Sequence, residues 1–324
     1  MSSKTILNFV IYWQNMKTKA AILHTLDHPL DLVDVNIPVL REGQYLVKVV
    51  YTSICGSQIN EIKGNKGKDA YLPHLLGHEA VGRVVDKHHS CTKINVGQNV
   101  ICSWITGDGL EGGPVKYGKY NAGPIATFTE YAVVSENRLY RTEVITPEYS
   151  MFGCAIPTAL GAIKKLDVQG KKVLVVGVGA VGLGIAINLS DFCDVFVEDL
   201  DSSKIQAASR YGKRYNYEGV DVVFDCTGSV DSLNRAMGYL DSGTLVVVGN
   251  PKRGLFMQVD PYNFIFGKQI MGHNGNDIDM DDFVRNIPRW NIDPYKDIMG
   301  DRFELEDINS ALTHKTKPVI FCGE

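Results

Sequence analysis

The chain has 324 residues, 44% of them hydrophobic, and a formal net charge of −4 at pH 7. This length predicts two domains, and the composition is that of an ordinary globular protein. Since an acidic balance offers no basic field to a polyanion, we expect no nucleic-acid partner. The scattered cysteines lack the even spacing of a disulfide scaffold, which predicts reduced thiols and a cytoplasmic location. They are Cys55, Cys91, Cys102, Cys154, Cys193, Cys226 and Cys322.

The start of the chain contains one short apolar run, ILNFVIYW, at residues 6–13. This run is too short to cross a bilayer, and QNMKTKAA follows it instead of a small-residue cleavage site. We therefore expect no membrane segment. The fold is expected to begin near Met16, with residues 1–15 as an extension that either packs loosely or is disordered.

Two regions of different patterning follow. Residues 17–150 alternate short β-branched runs, such as YLVKVVYTSI and EAVGRVVD, with Gly, Asn and Asp, which predicts a β-rich domain. From residue 151 a predicted helix (MFGCAIPTALGAIKKL) leads into a strand, a Gly turn and a second helix (KKVLVVGVGAVGLGIAINL). The strands DVFVED, VDVVFDCTG and GTLVVVG come next. This order is typical of a doubly wound α/β unit.

The last segment contains a predicted helix, DMDDFVRNIPRW, and then a helix and a terminal strand within RFELEDINSALTHKTKPVIF. The terminal strand is expected to return to the β-rich domain. We therefore predict a first domain at residues 1–152 that is completed by residues 276–324, and a nucleotide-binding unit at residues 153–275.

Gly177, Gly179 and Gly182 form a GxGxxG motif between a predicted buried strand and the start of a helix. In that context the motif predicts a dinucleotide site. The first glycine allows a tight turn, the second a close approach of the pyrophosphate, and the third close packing of helix on strand. The alternative is that these glycines only close a turn in another kind of α/β protein.

Asp199 ends the next predicted strand. A carboxylate there accepts hydrogen bonds from the adenosine ribose and repels a 2′-phosphate, so we expect NAD in preference to NADP. The neighbouring acids Glu198 and Asp201 are alternative positions for this carboxylate.

Three residues far apart in the chain have the chemistry of metal ligands: Cys55 in TSICGSQ, His78 in LLGHEAVGRV and Cys154 in FGCAIPTALGA. Each one alone is more often a buried thiol or a hydrogen-bonded imidazole. As a set, two thiolates and one neutral imidazole cancel the charge of Zn²⁺ and leave a fourth position open. The sequence therefore indicates one Zn²⁺ site that polarises an alcohol oxygen beside a nicotinamide.

With these motifs, the chain from residue 17 to residue 324 resembles the zinc-dependent alcohol dehydrogenase branch of the medium-chain dehydrogenase/reductase superfamily. The resemblance implies an α/β protein with a GroES-like β-rich domain that holds zinc and a Rossmann domain, a doubly wound unit, that binds NAD(P). It implies Cys55, His78 and Cys154 as the zinc ligands and a small alcohol or carbonyl compound as the substrate. By the same analogy we expect a homo-oligomer.

Four further site residues come from the resemblance. Glu79 matches the acidic neighbour behind the zinc, and Ser57 matches the hydroxyl residue that takes the proton of the alcohol. A hydroxyl suits this step because it donates and accepts at once. Thr158 matches a threonine on the nicotinamide side of the cofactor, and Lys204 a lysine that supports the adenosine ribose. Purely structural roles stay open for Ser57 at a turn and for Lys204 on a helix surface.

Several features depart from the family. No cysteine lies between Cys102 and Cys154, so a structural zinc held by four cysteines cannot form there. The loop at residues 103–125 is compatible either with the lining of the substrate cleft or with an oligomer contact. Gln58 stands where an aspartate usually accepts a hydrogen bond from the ligand histidine, and we expect it to modulate the site. Asn60 replaces a proton-relay histidine, so the proton is expected to leave through the ribose to water.

The nucleotide-binding unit is also expected to be trimmed. Only IQAASRYGKRYNYEG separates Lys204 from the strand VDVVFDCTG, whereas the family places an edge strand and a crossover helix there. A parallel crossover needs a dozen or more residues. KRYNY is therefore predicted to be at most a rudimentary strand without its helix.

The leading hypothesis is an NAD-dependent zinc oxidoreductase acting on an alcohol. The polar Gly/Lys/Tyr loop and the resemblance favour a polyol, cyclitol or sugar-derived substrate. One alternative is a zinc-free quinone or enoyl reductase of the same superfamily, against which the presence of all three ligands argues. The other is a non-catalytic cofactor-binding relative, which Gln58 and the trimmed edge motivate.

Overall fold

The computed structural model of the protein describes residues 16–323. The predicted N-terminal extension, residues 1–15, lies outside the described residues. No helix in the described part is long and apolar enough to cross a membrane. Its α-helices are Gly56–Ile62 (α1), Pro147–Ser150 (α2), Ala155–Lys164 (α3), Ala180–Leu189 (α4), Ser202–Ala208 (α5), Val230–Ala236 (α6), Tyr262–Ile265 (α7), Met280–Asn286 (α8) and Ile308–Leu312 (α9).

Two sheets form the β-rich part that the sequence predicts. The strands of the smaller sheet are Lys17–Leu23 (β1), Asp31–Asn36 (β2), His74–Leu75 (β4), Val115–Tyr117 (β7) and Tyr120–Ala122 (β8), in the order β2-β1-β4-β8-β7. Those of the larger sheet are Gln44–Ser53 (β3), Glu79–Lys87 (β5), Asn99–Ser103 (β6), Tyr131–Ser135 (β9), Leu139–Thr142 (β10), Met299–Glu304 (β17) and Lys317–Phe321 (β18). Their β-branched and aromatic residues are buried in one shared core, which explains the alternating pattern in the sequence.

The terminal strand returns to the β-rich part, as predicted. β18 pairs antiparallel with β3, with Val319 opposite Ser53 and Phe321 opposite Tyr51. The pairing continues past the end of β3, where the Ile54 N–H donates to the Pro318 carbonyl at 3.2 Å. Lys317 is therefore placed beside the segment that leads from β3 to Cys55.

The third sheet is the predicted doubly wound unit. Its strands are Lys172–Val176 (β11), Asp194–Glu198 (β12), Lys213–Arg214 (β13), Val220–Asp225 (β14), Leu240–Val247 (β15) and Lys268–Gly272 (β16). All pairs are parallel, in the order β13-β12-β11-β14-β15-β16. The trimmed edge is confirmed, because KRYNY supplies only the two residues of β13 and no helix lies between β13 and β14 in the described chain.

An aromatic cluster lies where the doubly wound unit meets the rest of the chain. Phe152, in the short 3₁₀ turn Met151–Gly153, is fully buried. The centroid of its ring lies 6.0 Å from that of Phe283, 5.7 Å from that of Tyr295 and 6.5 Å from that of Trp290. This packing fixes the backbone immediately before Cys154. The predicted domain boundaries, at 152/153 and 275/276, stay predictions.

Candidate active site

Three chain segments bring the predicted metal ligands together. Cys55 lies in the turn between β3 and α1, and His78 lies between β4 and β5. Cys154 lies between the Met151–Gly153 turn and α3. The two Sγ atoms are 3.8 Å apart, and one ligand atom from each of the three residues, together with a carboxylate oxygen of Glu79, lies within 4.8 Å of the others.

This geometry fits Zn²⁺. Two sulfurs at about 2.3 Å from a tetrahedral zinc ion are separated by roughly 3.8 Å, which is the separation of the two Sγ atoms. The Nε2 atom of His78 is buried and has no hydrogen-bond partner within the described chain. A buried ring nitrogen without a partner is costly, and a metal ion at this point removes the cost.

The two thiols have opposite pKa shifts. A hydrogen bond from Cys154 holds the pKa of Cys55 well below its usual value, against the effect of burial and with help from nearby His78. The same contact, together with burial, raises the pKa of Cys154 well above its usual value. The contact therefore favours the thiolate at Cys55 and the thiol at Cys154. A divalent cation would displace the remaining thiol proton, because the thiolate is the metal-binding form.

A buried ion pair lies behind the ligands. Lys317 Nζ donates to Glu79 Oε1 and, at 3.3 Å, to the carbonyl of Ile54, and its side chain is only 3% exposed. Burial raises the pKa of Glu79, although Lys317 counteracts it. Burial lowers the pKa of Lys317, but Glu79 and the two thiols outweigh that effect and raise it.

The sequence reasoning missed Lys317. The only local signal is a lysine that opens an otherwise apolar terminal strand, KPVIF. A lysine at a strand end is usually solvated, so nothing in that pattern alone indicates a buried partner. Its position depends on the return of β18 to β3.

The ligands open into a cleft of about 740 Å³. Ser57 and Asn60 of α1, Thr158 of α3 and Trp104 line it, so the predicted proton-transfer and nicotinamide residues lie on the same cleft as the ligands. Asn60 Nδ2 donates to the carbonyl of Asn250 at 3.1 Å, which links α1 to the doubly wound unit. Of the loop at residues 103–125, only Trp104 is part of the cleft lining within the described chain, and the β7–β8 hairpin packs instead on β4.

The glycine motif lies at the other end of the same cleft. Gly177 has φ of +84°, a left-handed conformation that favours glycine. A Cβ on Gly182 would meet the carbonyl of Gly177, whereas a Cβ on Gly179 would meet open space. The turn therefore has no room for a side chain at its first and third glycines. At its second glycine the backbone faces open space.

Asp199 lies against this turn. Its Oδ2 accepts from the N–H of Val178 at 2.9 Å and its Oδ1 from the N–H of Asp201 at 2.9 Å. Asp201 instead caps α5 and lies 3.3 Å from Lys315 Nζ, and Glu198 lies 3.4 Å from the Tyr239 hydroxyl. Of the three acids, only Asp199 contacts the glycine turn through its side chain in the described chain, whereas Glu198 accepts from the Gly177 N–H through its backbone carbonyl at 2.7 Å. Lys204, on α5, lines the cleft near this point.

Gln58 does not contact the ligand histidine through a hydrogen bond. Its Oε1 accepts from the Cys55 N–H at 3.1 Å, and its buried Nε2 has no partner in the described chain. The residue therefore stabilises the start of α1, and with it the position of Cys55. The side-chain oxygen of Gln58 is therefore bonded to the Cys55 N–H and not to His78.

Comparisons with known proteins agree with this fold. The alcohol dehydrogenase GroES-like domain family matches residues 41–144. S-(hydroxymethyl)glutathione dehydrogenase of Escherichia coli O1:K1 is 24% identical, over 94% of this chain and 98% of its own length.

Two solved structures show the same architecture. Benzyl alcohol dehydrogenase of Acinetobacter calcoaceticus superimposes with a TM-score of 0.82 at 23% identity, over 94% of this chain and 99% of its own. A zinc-binding dehydrogenase of Sinorhizobium meliloti 1021, solved with NADP bound, gives a TM-score of 0.79 at 18% identity, over 95% and 100% of the two chains.

The fold is thus shared with these two dehydrogenases, and residues 41–144 are the part that matches the GroES-like domain family. Over nearly its whole length the chain is similar to alcohol dehydrogenases.

The buried Lys317–Glu79 pair yields a stability prediction. Lys317→Met leaves the Glu79 carboxylate buried without its cation, which is expected to cost roughly 3–5 kcal/mol of unfolding free energy. Adding Glu79→Gln removes the stranded charge and is expected to recover more than half of the loss. Urea unfolding of the metal-saturated variants measures both effects.

The matched control is Lys315→Met. Lys315 is two residues away, its side chain is 82% exposed, and among the described residues it pairs only with Asp201, at 3.3 Å. Its loss is expected to cost no more than about 1 kcal/mol. Equal losses for the two lysine variants would contradict the assigned role of Lys317.

Proposed function

We propose that the protein interconverts an alcohol and its carbonyl compound with NAD as the hydride acceptor, at one Zn²⁺ held by Cys55, His78 and Cys154. The observation that carries the proposal is the convergence of two thiols and an unpartnered imidazole at one end of a cleft whose other end is a GxGxxG turn. This arrangement supports zinc chemistry over the zinc-free reductase alternative. The S-(hydroxymethyl)glutathione and benzyl alcohol dehydrogenases named above are consistent with it.

The chain's own residues account for the remaining requirements. When bound, the zinc polarises the substrate oxygen and the nicotinamide accepts or donates the hydride. Ser57 lies on the cleft two residues after Cys55, where its hydroxyl is placed to accept the alcohol proton and pass it on. Thr158 lines the same cleft, and we assign it to the nicotinamide side of the cofactor. The buried Glu79 oxygen is close enough to the ligand atoms to join them when one exchanges.

Removal of one ligand tests the metal assignment. Cys154→Ala is expected to lower the zinc content by about one ion per chain and to abolish alcohol-dependent NAD reduction. Elemental analysis and an absorbance assay over alcohols, polyols, cyclitols and sugar derivatives measure the two effects on one preparation. Full turnover by a metal-free protein would exclude this mechanism, and the absence of turnover over the whole panel would favour a non-catalytic relative.

Ser57→Ala provides the test for the proton path. The zinc content is expected to stay unchanged while kcat falls by roughly 10²- to 10⁴-fold, and Ser57→Thr is expected to keep most of the activity. Ser190→Ala, at the end of α4, is the control, because its hydroxyl bonds only to the Ile187 carbonyl among the described residues. An unchanged kcat in Ser57→Ala would assign the proton transfer to another group.

The preference for NAD rests on Asp199. The carboxylate lies against the glycine turn, where a 2′-phosphate would meet its negative charge. The NADP-bound neighbour from Sinorhizobium meliloti shows that the fold also accepts NADP, so the preference depends on residues such as this one. The exposed edge next to β13 leaves this half of the site open.

Asp199→Asn tests whether the negative charge of this side chain determines the cofactor preference, because asparagine has nearly the same shape. It keeps an acceptor for the Val178 N–H but removes the negative charge, and we expect the KM for NAD to rise roughly 10-fold while NADP is used relatively better. The comparison variant is Asp201→Asn, expected to leave the ratio of kcat/KM for the two cofactors unchanged. A shift in Asp201→Asn alone would move the assignment to that residue.

A hydroxylated substrate is consistent with the lining of the cleft. Beside Ser57 and the ligands, polar side chains and one tryptophan face it: Asn60, Lys66, Asn250, Asn274 and Trp104. We infer a polyol, cyclitol or sugar-derived alcohol, whose hydroxyls such groups would bind.

The seven cysteines are all free, which supports the reducing, cytoplasmic location expected from the sequence.

We also infer a homo-oligomer that forms through the β16 edge of the Rossmann sheet. β16 is the last strand of its sheet, and an apolar patch next to it exposes Phe256 (85% exposed), Ile265 (74%) and Phe266 (60%). An open sheet edge beside apolar side chains is typical of an interface.

Phe256→Glu combined with Phe266→Glu is expected to reduce the molar mass measured by light scattering to that of one chain, 35.8 kDa. Phe192→Glu changes a phenylalanine with 44% exposure away from this edge and serves as the control. A mass of one chain for the unchanged protein would refute the oligomer.

A further inference from the structure

A second group of metal-ligand residues lies outside the active site. Glu61, Asp69 and His74, here called the Glu61 cluster, bring one nitrogen and two carboxylate oxygens within 4.8 Å of one another. Glu61 is on α1, His74 on β4, and Asp69 on the loop between them. None of the three is a ligand of the proposed zinc.

The distances match those of atoms bound to one small cation. Asp69 Oδ2 lies 2.8 Å and Glu61 Oε1 4.0 Å from His74 Nε2. Two ligand atoms at about 2.1 Å from the same ion are at most about 4.2 Å apart, so both separations fall within that limit. Since the three ligand atoms lie within 4.8 Å of one another, the side chains need to move by no more than a few tenths of an ångström to reach one ion.

Ordinary ion pairing does not satisfy these atoms. The side chains of His74 and Asp69 are only 8% and 9% exposed. His74 Nε2 and Asp69 Oδ2 nevertheless lack a hydrogen-bond partner in the described chain, because the oxygen lies off the direction along which a ring N–H points. Two buried polar atoms that approach closely without a hydrogen bond are costly unless a third atom binds both.

The charges also suit a cation. Glu61 and Asp69 carry two negative charges, and Lys66 neutralises only part of them through Glu61 Oε2 at 2.8 Å, which leaves Oε1 free to face the histidine. The other Asp69 oxygen accepts from the Tyr71 N–H at 2.8 Å, which orients the carboxylate. Such support is typical of carboxylates that bind a metal.

We propose that the Glu61 cluster binds a second divalent metal ion, with one imidazole nitrogen, two carboxylate oxygens and water completing its coordination. This donor set, without sulfur, suits Mn²⁺ or Zn²⁺, whereas the two thiols of the active site disfavour Mn²⁺. The two sites therefore differ in metal preference. The site is unrelated to a four-cysteine structural zinc, since it contains no sulfur ligand.

Its position connects it to the active site through the backbone. α1 carries Glu61 at its end and starts directly after Cys55, and His74 lies four residues before His78. An ion at the Glu61 cluster would join these two segments to the Asp69 loop. Binding to the folded state alone raises stability, so the ion is expected to raise the melting temperature.

Manganese titration of the protein loaded with one zinc ion per chain tests the proposal, because excess Zn²⁺ would compete for the Glu61 cluster. Paramagnetic resonance of free Mn²⁺ measures the bound fraction, and we expect about one Mn²⁺ per chain with a higher melting temperature. His74→Gln and Glu61→Gln are each expected to weaken Mn²⁺ binding at least 10-fold while the zinc at Cys154 is kept. Glu61 is 29% exposed on a helix surface, so Glu61→Gln preserves the fold even if the buried variant does not.

His24→Gln is the matched control. His24 and Asp31 form a histidine–aspartate pair at 3.6 Å that is exposed and has no third ligand among the described residues, so this variant is expected to bind Mn²⁺ as the unchanged protein does. Cys154→Ala is expected to lose zinc and keep Mn²⁺ binding, which separates the second site from the first. No saturable Mn²⁺ binding, or binding that Glu61→Gln leaves intact, would overturn the proposal.

Discussion

The active site depends on the balance of the charges that Cys55, Cys154, Glu79 and Lys317 bring together. When both thiols are deprotonated, they and the Glu79 carboxylate place three negative charges at the inner end of the cleft, and Lys317 supplies one positive charge there. A divalent cation would supply the two that remain. Each charge comes from a different segment, so the balance holds only when β3, β5, β18 and the turn before α3 are all assembled. Binding of the metal and closure of the β-rich part by the terminal strand are therefore physically linked.

The order of the local elements explains how much the sequence could predict. Cys55, His78 and Cys154 each lie at the end of a strand or turn whose neighbouring residues form a recognisable pattern, and the same is true of the glycine turn at Gly177. The trimmed edge was predictable too, because a parallel crossover has a minimum length that the chain does not supply. These features depend on residues close together in sequence.

Other features depend on pairings that local patterns do not specify. Lys317 meets Glu79 across 238 positions of sequence, through the antiparallel register of β18 on β3. Gln58 stands in place of the aspartate that the resemblance puts beside the ligand histidine, but its Oε1 accepts from the backbone N–H three residues before it, as helix starts often provide. The Glu61 cluster requires the loop after α1 to fold back on β4, and no spacing rule describes such a loop.

The two sides of the cleft are held together with different strength. On the side of Cys154, Phe152 packs in a buried aromatic cluster, an arrangement whose burial contributes several kcal/mol. At the mouth, polar contacts join the parts: among them, Asn60 Nδ2 donates to the Asn250 carbonyl at 3.1 Å, the Arg253 N–H donates to the Asn65 carbonyl at 2.8 Å, and Lys315 Nζ donates to Asp201 at 3.3 Å.

Bonds of this kind contribute about 0.5–1.5 kcal/mol each, because water replaces them when they break. The mouth is therefore the weaker side. A cofactor that fills the cleft between Asp199 and Cys154 adds contacts to both walls at that weaker side, while the ligands stay anchored at the stronger one. The proposed metal ligands thus lie on the more firmly packed side of the cleft, and the proposed cofactor would join the two walls on the weaker side.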